Sequence, residues 1–343
     1  MHFCSDTIMQ YKDKKMTGVN ILAIDYEVAE NIITNNDLTK ILDTSDEWIS
    51  TRTGIKERRV VSDDVTSVDL GINAAKKVIK RANFNPSEID LIIAAASAPE
   101  DIYPSVACLI QNGIGASNAA CFDLKAACSG FIYSLNTASA FIKSGIYKNI
   151  LIVATDTTTK FSDWEDRSVC VLFGDGAGAA ILTADNSGCD DIKGIELLAD
   201  GSCGDFITLK YKGKSCPLVK SETQEIKSFI NMKGKDVYKY VMTLIPPKIE
   251  ELLEKTNTKI EDIDYFIPHQ SNQRMIDALA QRLGIADDKV ISNIEHYGNM
   301  SAASIPVAIR EGIDEGKIKL PAKILLSAFG AGMTAANAII TLK

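Results

Sequence analysis

The chain repeats itself, and this limits its possible folds more than any other feature. Ser87-Glu88-Ile89-Asp90-Leu91-Ile92-Ile93, with Ser97 just beyond, recurs 174 residues later as Glu261-Asp262-Ile263-Asp264-Tyr265-Phe266-Ile267 with Ser271. Ile, Asp, Ile and Ser coincide. A second echo, at an offset of 156, matches Phe173-Gly174-Asp175-Gly176-Ala177-Gly178-Ala179-Ala180 with Phe329-Gly330-Ala331-Gly332-Met333-Thr334-Ala335-Ala336. Two echoes in the same order, each spanning nearly half of 343 residues, predict a duplicated pair of α/β halves. We place the halves at residues 16–190 and 191–343, after a polar leader over residues 1–15 with Met16 as a possible alternative start.

Local patterns agree. Leu91 to Ala96, Ala119 to Leu124 and Ile150 to Ala154 are apolar runs of the kind buried in a sheet covered on both faces. Between them, helical periodicity runs from Ser67 to Arg81, from Ser105 to Asn112 and from Cys128 to Ser144-Gly145. Strand and helix alternate, which predicts a layered α/β fold. Ile21 to Ile24 reads as an opening strand, and Asn35-Asn36-Asp37 as the cap of a short helix carrying Leu38, Ile41 and Leu42. Asp43 to Ile55 is polar and irregular, either a surface loop pinned by Trp48 or a ligand platform. Asp185 to Lys227 is the least periodic stretch and contains the crossover between halves. A helix follows from Lys235 to Lys255, kinked or interrupted at Pro246-Pro247.

Composition narrows the function. A formal net charge of -8 argues against a general nucleic-acid binder. The 8 cysteines are scattered without a C-x-x-C pair, as expected of reduced thiols rather than of staples or a zinc site. The first fifteen residues carry no apolar signal core, and no apolar run reaches membrane-spanning length, so the expected location is the cytoplasm.

Three residues stand where chemistry is usually placed. Cys128, in Ala126-Ala127-Cys128-Ser129-Gly130-Phe131, falls on a strand-to-helix turn, where the helix terminus favours a thiolate and small neighbours admit a carbonyl. Its plain alternative is a buried cysteine at a helix start. His269 follows the strand Ile263 to Ile267, and Asn299 follows the apolar Val290-Ile291, which is read as a strand. For these the alternatives are a structural histidine and a helix cap at Asn299 or Ser301. His296 reads as a loop residue. The Gly-rich runs lack both a G-K-[ST] and room for a dinucleotide unit after Gly330; close backbone packing or amides aimed at an oxyanion explain them better. Cys, His and Asn after buried strands form a possible thiolate site with two hydrogen-bond donors, and neither His269 nor His296 has metal-ligand spacing to a cysteine or carboxylate.

These residues resemble the β-ketoacyl-acyl-carrier-protein synthase III family, on the thiolase fold. The resemblance runs from Asn31 to the C-terminus and rests on Thr44-Ser45-Asp46-Glu47-Trp48-Ile49, Thr51-Arg52-Thr53-Gly54-Ile55, the Cys128 block, both Gly-rich runs, Pro268-His269-Gln270-Ser271-Asn272 and Gly298-Asn299-Met300-Ser301-Ala302-Ala303-Ser304. It implies duplicated thiolase-like α/β halves in an αβαβα sandwich. It also implies an acyltransferase that initiates fatty-acid synthesis. Cys128 takes an acyl group, expected to be acetyl, from acyl-CoA, with the backbone N–H groups of Cys128 and Ala331 holding the oxyanion. Malonyl-acyl-carrier protein then loses carbon dioxide while His269 and Asn299 donate to its thioester carbonyl. The carbanion attacks acyl-Cys128 and releases a 3-ketoacyl-carrier protein. A neutral histidine suffices, and neither metal nor separate cofactor is implied.

By the same resemblance Trp48, Arg52, Thr53, Arg167 and Asn272 contact CoA. Phe329 and Met333 border the acyl pocket, and Tyr103 reaches into the pocket of a partner subunit in a homodimer. Arg274 meets the carrier protein, with Lys235, Lys239 and Arg282 completing a positive patch; the alternative for these cations is ordinary solvated charge. Two other readings remain: a related acyltransferase of secondary metabolism with a different acceptor, and a non-catalytic scaffold that binds CoA or a carrier protein. The chain departs from the family's pattern in three places: Leu22 to Glu30 has no Gly-Pro turn, Tyr297 precedes Gly298 where a histidine is common, and the leader is polar.

Overall fold

A computed structural model describes residues 17–210, 218 and 228–343; the leader over residues 1–15 and Met16 lie outside these, as do residues 211–217 and 219–227 of the aperiodic stretch. Strand β1 (Gly18–Val28) leads into an antiparallel pair, β2 (Asn31–Thr34) and β3 (Glu57–Val60), which encloses helices α1 (Asn35–Leu38) and α2 (Asp46–Thr53). The first half continues through α3 (Ser67–Ala82), β4 (Leu91–Ala95), α4 (Val106–Ile114), β5 (Ala120–Leu124), α5 (Gly130–Ser144), β6 (Asn149–Thr157) and β7 (Asp175–Asp185). The second begins at β8 (Ile192–Ala199), passes the short pair β9 (Ile207–Leu209) and β10 (Ile230–Met232), and enters α6 (Gly234–Lys255). It ends with β11 (Tyr265–Pro268), α7 (Gln273–Leu283), α8 (Ile294–Tyr297), α9 (Ser304–Asp314), β12 (Ala322–Gly330) and β13 (Thr334–Leu342).

The two main sheets have the same order. One runs β1-β7-β6-β4-β5 and the other β8-β13-β12-β11, with Val290 bridging Phe266 at the place β5 takes in the first. Register makes the equivalence quantitative: Leu91 pairs with Ile150 and Tyr265 with Ile324, so both strands keep the offset of 174. Ile150 then pairs with Leu182 and Ile324 with Ile340, an offset of 158 for the outer strands. The second echo, at 156, is therefore not a structural equivalence. Phe173-Gly174 precede β7, whereas Phe329-Gly330 end β12.

Three apolar clusters stack the layers. Between the sheets lie α5 and α9, with Phe131, Leu135 and Ile305 packed against Ile93 and Ile152 on one side and Ile324 and Leu326 on the other. The outer face of the first sheet is covered by α3 and α4, and that of the second by α6 and α7. The result is an αβαβα sandwich whose core contains one helix from each half.

Local chemistry explains the elements and the departures from expectation. Helix α3 starts at a capping box of Thr66 and Asp69, and α5 stops at Gly145, whose φ of 76° is the left-handed cap that glycine suits. The short helix after β2 is capped by Thr34 with Asp37, not by Asn35, and ends before Ile41. Asp43 to Ile55 is not irregular. Ser45 accepts from the Trp48 amide, Gly54 closes the other end at φ 79°, and α2 spans the residues between. Helix α6 runs unbroken through Pro246 and Pro247, with Pro246 buried. The aperiodic stretch contains β8 and β9, and Val290-Ile291 makes one isolated bridge instead of a strand. Strand β1 needs no Gly-Pro turn: it pairs with β7 over its whole length, with a bulge between Ile21 and Ala23.

Candidate active site

One cavity of about 1140 Å³ is lined by Cys128, His269 and Asn299 together, and also by Trp48, Phe329 and Ala331. Cys128 sits on a 3-10 turn, Ala127–Ser129, that runs directly into α5. Across the cavity a second 3-10 turn, Ser301–Ala303, runs into α9. These turns are duplicates. Ala127 has φ 47° and Ser301 φ 51°, left-handed values that non-glycine residues rarely adopt, and the two lie 174 residues apart. Such local strain is held in place by surrounding structure and collects at functional sites.

Gly330 brings the end of β12 against the cysteine turn. A Cβ there would lie 2.6 Å from the Cys128 nitrogen and 2.9 Å from the Ala127 Cβ, so only glycine leaves that amide uncovered. Among the described residues, neither the Cys128 nor the Ala331 N–H is engaged in a backbone hydrogen bond, and both residues line the cavity. Two amide donors beside a sulfur have the composition of an oxyanion hole.

The cysteine's protonation differs from expectation. Burial pushes the Cys128 thiol up to about 12, and the nearby Asp156 charge raises it further, while Ser301 opposes them. At neutral pH the sulfur is therefore a thiol. A helix terminus alone does not offset the loss of water. Ser301 donates to Cys128 Sγ at 3.6 Å.

Burial has the opposite effect on His269, holding it down to about 3, so its ring is neutral at physiological pH. Its main-chain N–H donates to Ser327 O at 2.7 Å, the ring stands edge-on to Phe329 at 5.4 Å, and Nδ1 is buried without a partner among the described residues. Asn299 is fixed by three hydrogen bonds. Its N–H donates to Leu172 O at 2.8 Å, its carbonyl accepts from Gly174 N–H at 3.0 Å, and Oδ1 accepts from Ser301 N–H at 2.8 Å. That last contact orients the amide so that Nδ2 is its remaining donor. Neither Asn299 nor Ser301 is the helix cap expected of them: the 3-10 turn starts from Met300 and α9 from Ala303, both without a side-chain cap, and Asn299 holds the Ser301 amide within the turn. The Tyr297 hydroxyl, where a histidine is common, donates to Glu311 Oε1 at 2.5 Å, away from the cysteine.

The residues expected to hold CoA separate into two kinds. Two guanidinium groups lie over the Trp48 ring, Arg52 at 4.6 Å and Arg167 at 5.1 Å from its centre, a cationic and aromatic platform suited to a flat aromatic ligand. Thr53 and Asn272 line the cavity but serve the protein. Thr53 Oγ1 donates to Ile49 O, while Asn272 caps α7 through Arg274 N–H and donates to Arg52 O at 2.9 Å. Of the acyl-pocket residues, Phe329 lines the cavity; Met333 does not, being fully buried in the core behind it. Tyr103 is 83% exposed and outside this cavity. Arg274 and Lys235 line the mouth, with Lys239 one turn further along α6, whereas Arg282 is at the far end of α7. Sequence reasoning missed Ser97 and Asp156 near the sulfur, and Phe173, Lys125 and Lys210 on the cavity wall. Short polar residues in a chain carry no pattern that separates a site from a turn.

Comparison with known proteins identifies this arrangement. Two family models match, 3-oxoacyl-[acyl-carrier-protein (ACP)] synthase III over residues 122–201 and the C-terminal model of the same name over residues 253–342. The β-ketoacyl-[acyl-carrier-protein] synthase III of Clostridium acetobutylicum is 48% identical over 320 residues, covering 93% of this chain and 97% of that one. The crystal structure of the 3-oxoacyl-[acyl-carrier-protein] synthase III of Aquifex aeolicus superposes with a TM-score of 0.87 at 42% identity, covering 95% and 100% of the two chains. The priming β-ketosynthase of the R1128 polyketide pathway gives 0.88 at 30%, covering 96% and 98%. With its duplicated sandwich, its cysteine turn and relatives of this identity over nearly its full length, the chain belongs to the β-ketoacyl-[acyl-carrier-protein] synthase III family.

Proposed function

We propose that this protein is the condensing enzyme that begins fatty-acid synthesis, joining an acyl group from acyl-CoA to malonyl-acyl-carrier protein. The observation that carries the reading is the meeting of Cys128, His269 and Asn299 in one cavity with the Cys128 amide bared by Gly330. Cys128 attacks the thioester of acyl-CoA, the amides of Cys128 and Ala331 stabilise the oxyanion, and CoA departs as its thiol. Malonyl-acyl-carrier protein takes its place. Neutral His269 and the Asn299 Nδ2 donate to the malonyl thioester carbonyl, so that the electron pair left by carbon dioxide collects as an enolate. Its carbon attacks acyl-Cys128, giving 3-ketoacyl-carrier protein and the free thiol.

Trp48 with Arg52 and Arg167 receives the nucleotide end of CoA, and Phe329 borders the acyl chain. Tyr103, exposed in the single chain, suits insertion at the interface of a homodimer. Lys125, Lys210, Lys235, Arg52 and Arg274 make the wall and mouth cationic in a chain of net charge -8, which favours an acidic carrier. No helix among the described residues is long and apolar enough to cross a membrane. Incubation with acetyl-CoA followed by intact mass should add one acetyl group at Cys128, and malonyl-carrier protein should then release carbon dioxide. Undiminished acetylation of Cys128→Ala would rule the assignment out, and condensation onto another acceptor in preference to malonyl-carrier protein would favour the polyketide-type relatives.

A further inference from the structure

Acylation requires the Cys128 proton to go somewhere, and the groups assigned to the second half-reaction do not accept it. His269 is dedicated to donation, and Asn299 has no basic atom. Close to the sulfur is a buried carboxylate. Asp156, at the end of β6, is 1% exposed. Its Oδ1 accepts from the main-chain N–H groups of Ser97 at 2.7 Å and Ala98 at 3.1 Å. Oδ2 is buried and has no hydrogen-bond partner among the described residues, although the Ser301 and Ser97 side chains both lie toward that carboxylate. Ser301 Oγ is 3.6 Å from Cys128 Sγ and 3.4 Å from Ser97 Oγ, whose own main-chain N–H is bound by Asp156, so the hydroxyl that touches the thiol belongs to the group of side chains around the carboxylate. Among the described residues, no cation pairs with Asp156. A buried, unpaired carboxylate is costly and calls for a reason.

We propose that Ser301 and Asp156 form a proton relay for Cys128. As the sulfur attacks the acyl carbon, its S–H bond breaks and the proton passes to Ser301 Oγ. The hydroxyl's own proton moves to Asp156 Oδ2, leaving a neutral carboxylic acid. The S–C bond to the acyl group forms, the thioester C–S bond breaks, and the departing CoA sulfur takes a proton back along the same path. No net charge accumulates in the cavity. Burial raises the affinity of Asp156 for a proton, bringing it nearer to the thiol it serves. The strained backbone at Ser301 has a use here, since it turns the hydroxyl toward the sulfur.

The relay rests on Cys128 being the acylated residue, and the experiment separates the two. Rates of acetyl-Cys128 formation are measured by rapid quench and intact mass for wild type, Asp156→Asn and Ser301→Ala. Asparagine keeps the Oδ1 acceptor for Ser97 and Ala98, so the fold has little reason to change. Both variants are expected to acylate at least about 100-fold more slowly. Once loaded by long incubation, they should release carbon dioxide from malonyl-carrier protein within a few-fold of wild type. A purely electrostatic Asp156 predicts the reverse, because removing its charge makes the thiol easier to ionise and speeds acylation. Equal or faster acylation in the variants overturns the relay while leaving the assignment of Cys128 intact; so does equal loss of both half-reactions, the mark of a structural role. If wild type itself does not acetylate Cys128, the functional assignment fails first.

Discussion

At the residue scale the site is governed by what burial does to two groups of opposite charge type. His269 binds no proton until about pH 3 in the folded chain, whereas an unfolded histidine binds one near pH 6.5. Between these values the unfolded chain holds more protons, so acid favours unfolding by at most about 1.4 kcal/mol per pH unit from this residue. Replacing it by glutamine removes that term. The stability of His269→Gln relative to wild type is therefore expected to improve as pH falls from 7 to 5, and a difference that stays flat in chemical denaturation would contradict a neutral buried ring. Asp175, raised to about 6 by burial, acts in the opposite direction, since a folded carboxyl that holds its proton more tightly is stabilised by acid. It is common to both proteins and cancels. Gly330 is the second test at this scale. Gly330→Ala puts a methyl 2.6 Å from the Cys128 nitrogen, against backbone that has no room to give. Losing one oxyanion donor costs roughly 100-fold or more in rate. Acetyl-enzyme formation should fall by about that factor, with Trp48-dependent CoA binding retained.

Elements position these residues, and α2 shows how a short one does so. It carries Trp48 and Arg52, and Asn272 ties its Arg52 carbonyl to the start of α7. Asn272→Ala removes a helix cap and this tie together. It is expected to lower stability by about 1 kcal/mol and to raise KM for acyl-CoA. Trp48→Ala should raise that KM by roughly 10-fold or more while leaving kcat for saturated enzyme nearly unchanged, because stacking of one base is worth about 1–3 kcal/mol. A change confined to kcat would remove Trp48 from the CoA site. The same helix marks a limit of legibility. Only Ile49 and Thr53 are buried, so there is no apolar stripe to read; its signals were Ser45 and Gly54, which also suit a loop. Strands β4 and β6 were plain because every residue of β4 and all but the first of β6 are buried, whereas β8 has mixed exposure and lies in a polar stretch. His269 was legible from its place beyond the buried strand β11, whereas β5 before Cys128 is partly exposed and Val290 before Asn299 makes a single bridge, so those two stood out through the sequence blocks around them. Ser301 and Asp156 were not legible, since their meeting depends on two turns from opposite halves.

For the whole molecule, duplication is what makes a site. The offset of 174 that links Ala127 to Ser301 also links Cys128 to Ala302 and Ala95 to His269, so each half presents the same turn to the cavity and only one carries a nucleophile. Packing within and between halves sets the distances: a Cβ on Gly130 would lie 2.9 Å from Ala95 of its own half and 3.4 Å from Ala302 of the other. The charge distribution is divided as well. A chain of net charge -8 repels an acidic carrier at long range, yet Arg274 and Lys235 stand at the cavity mouth. Steering of this kind acts on association and fades as salt shortens the screening length from about 10 Å at 0.1 M. KM for malonyl-carrier protein is thus expected to rise with ionic strength. Arg274→Glu with Lys235→Glu should raise it further and flatten its salt dependence, because the local attraction has become repulsion. The rate of Cys128 acetylation by low concentrations of acetyl-CoA provides the control. Loss confined to acetylation would move these cations from the carrier to the nucleotide. Loss of neither would leave them as solvated charge and place the carrier elsewhere on the rim.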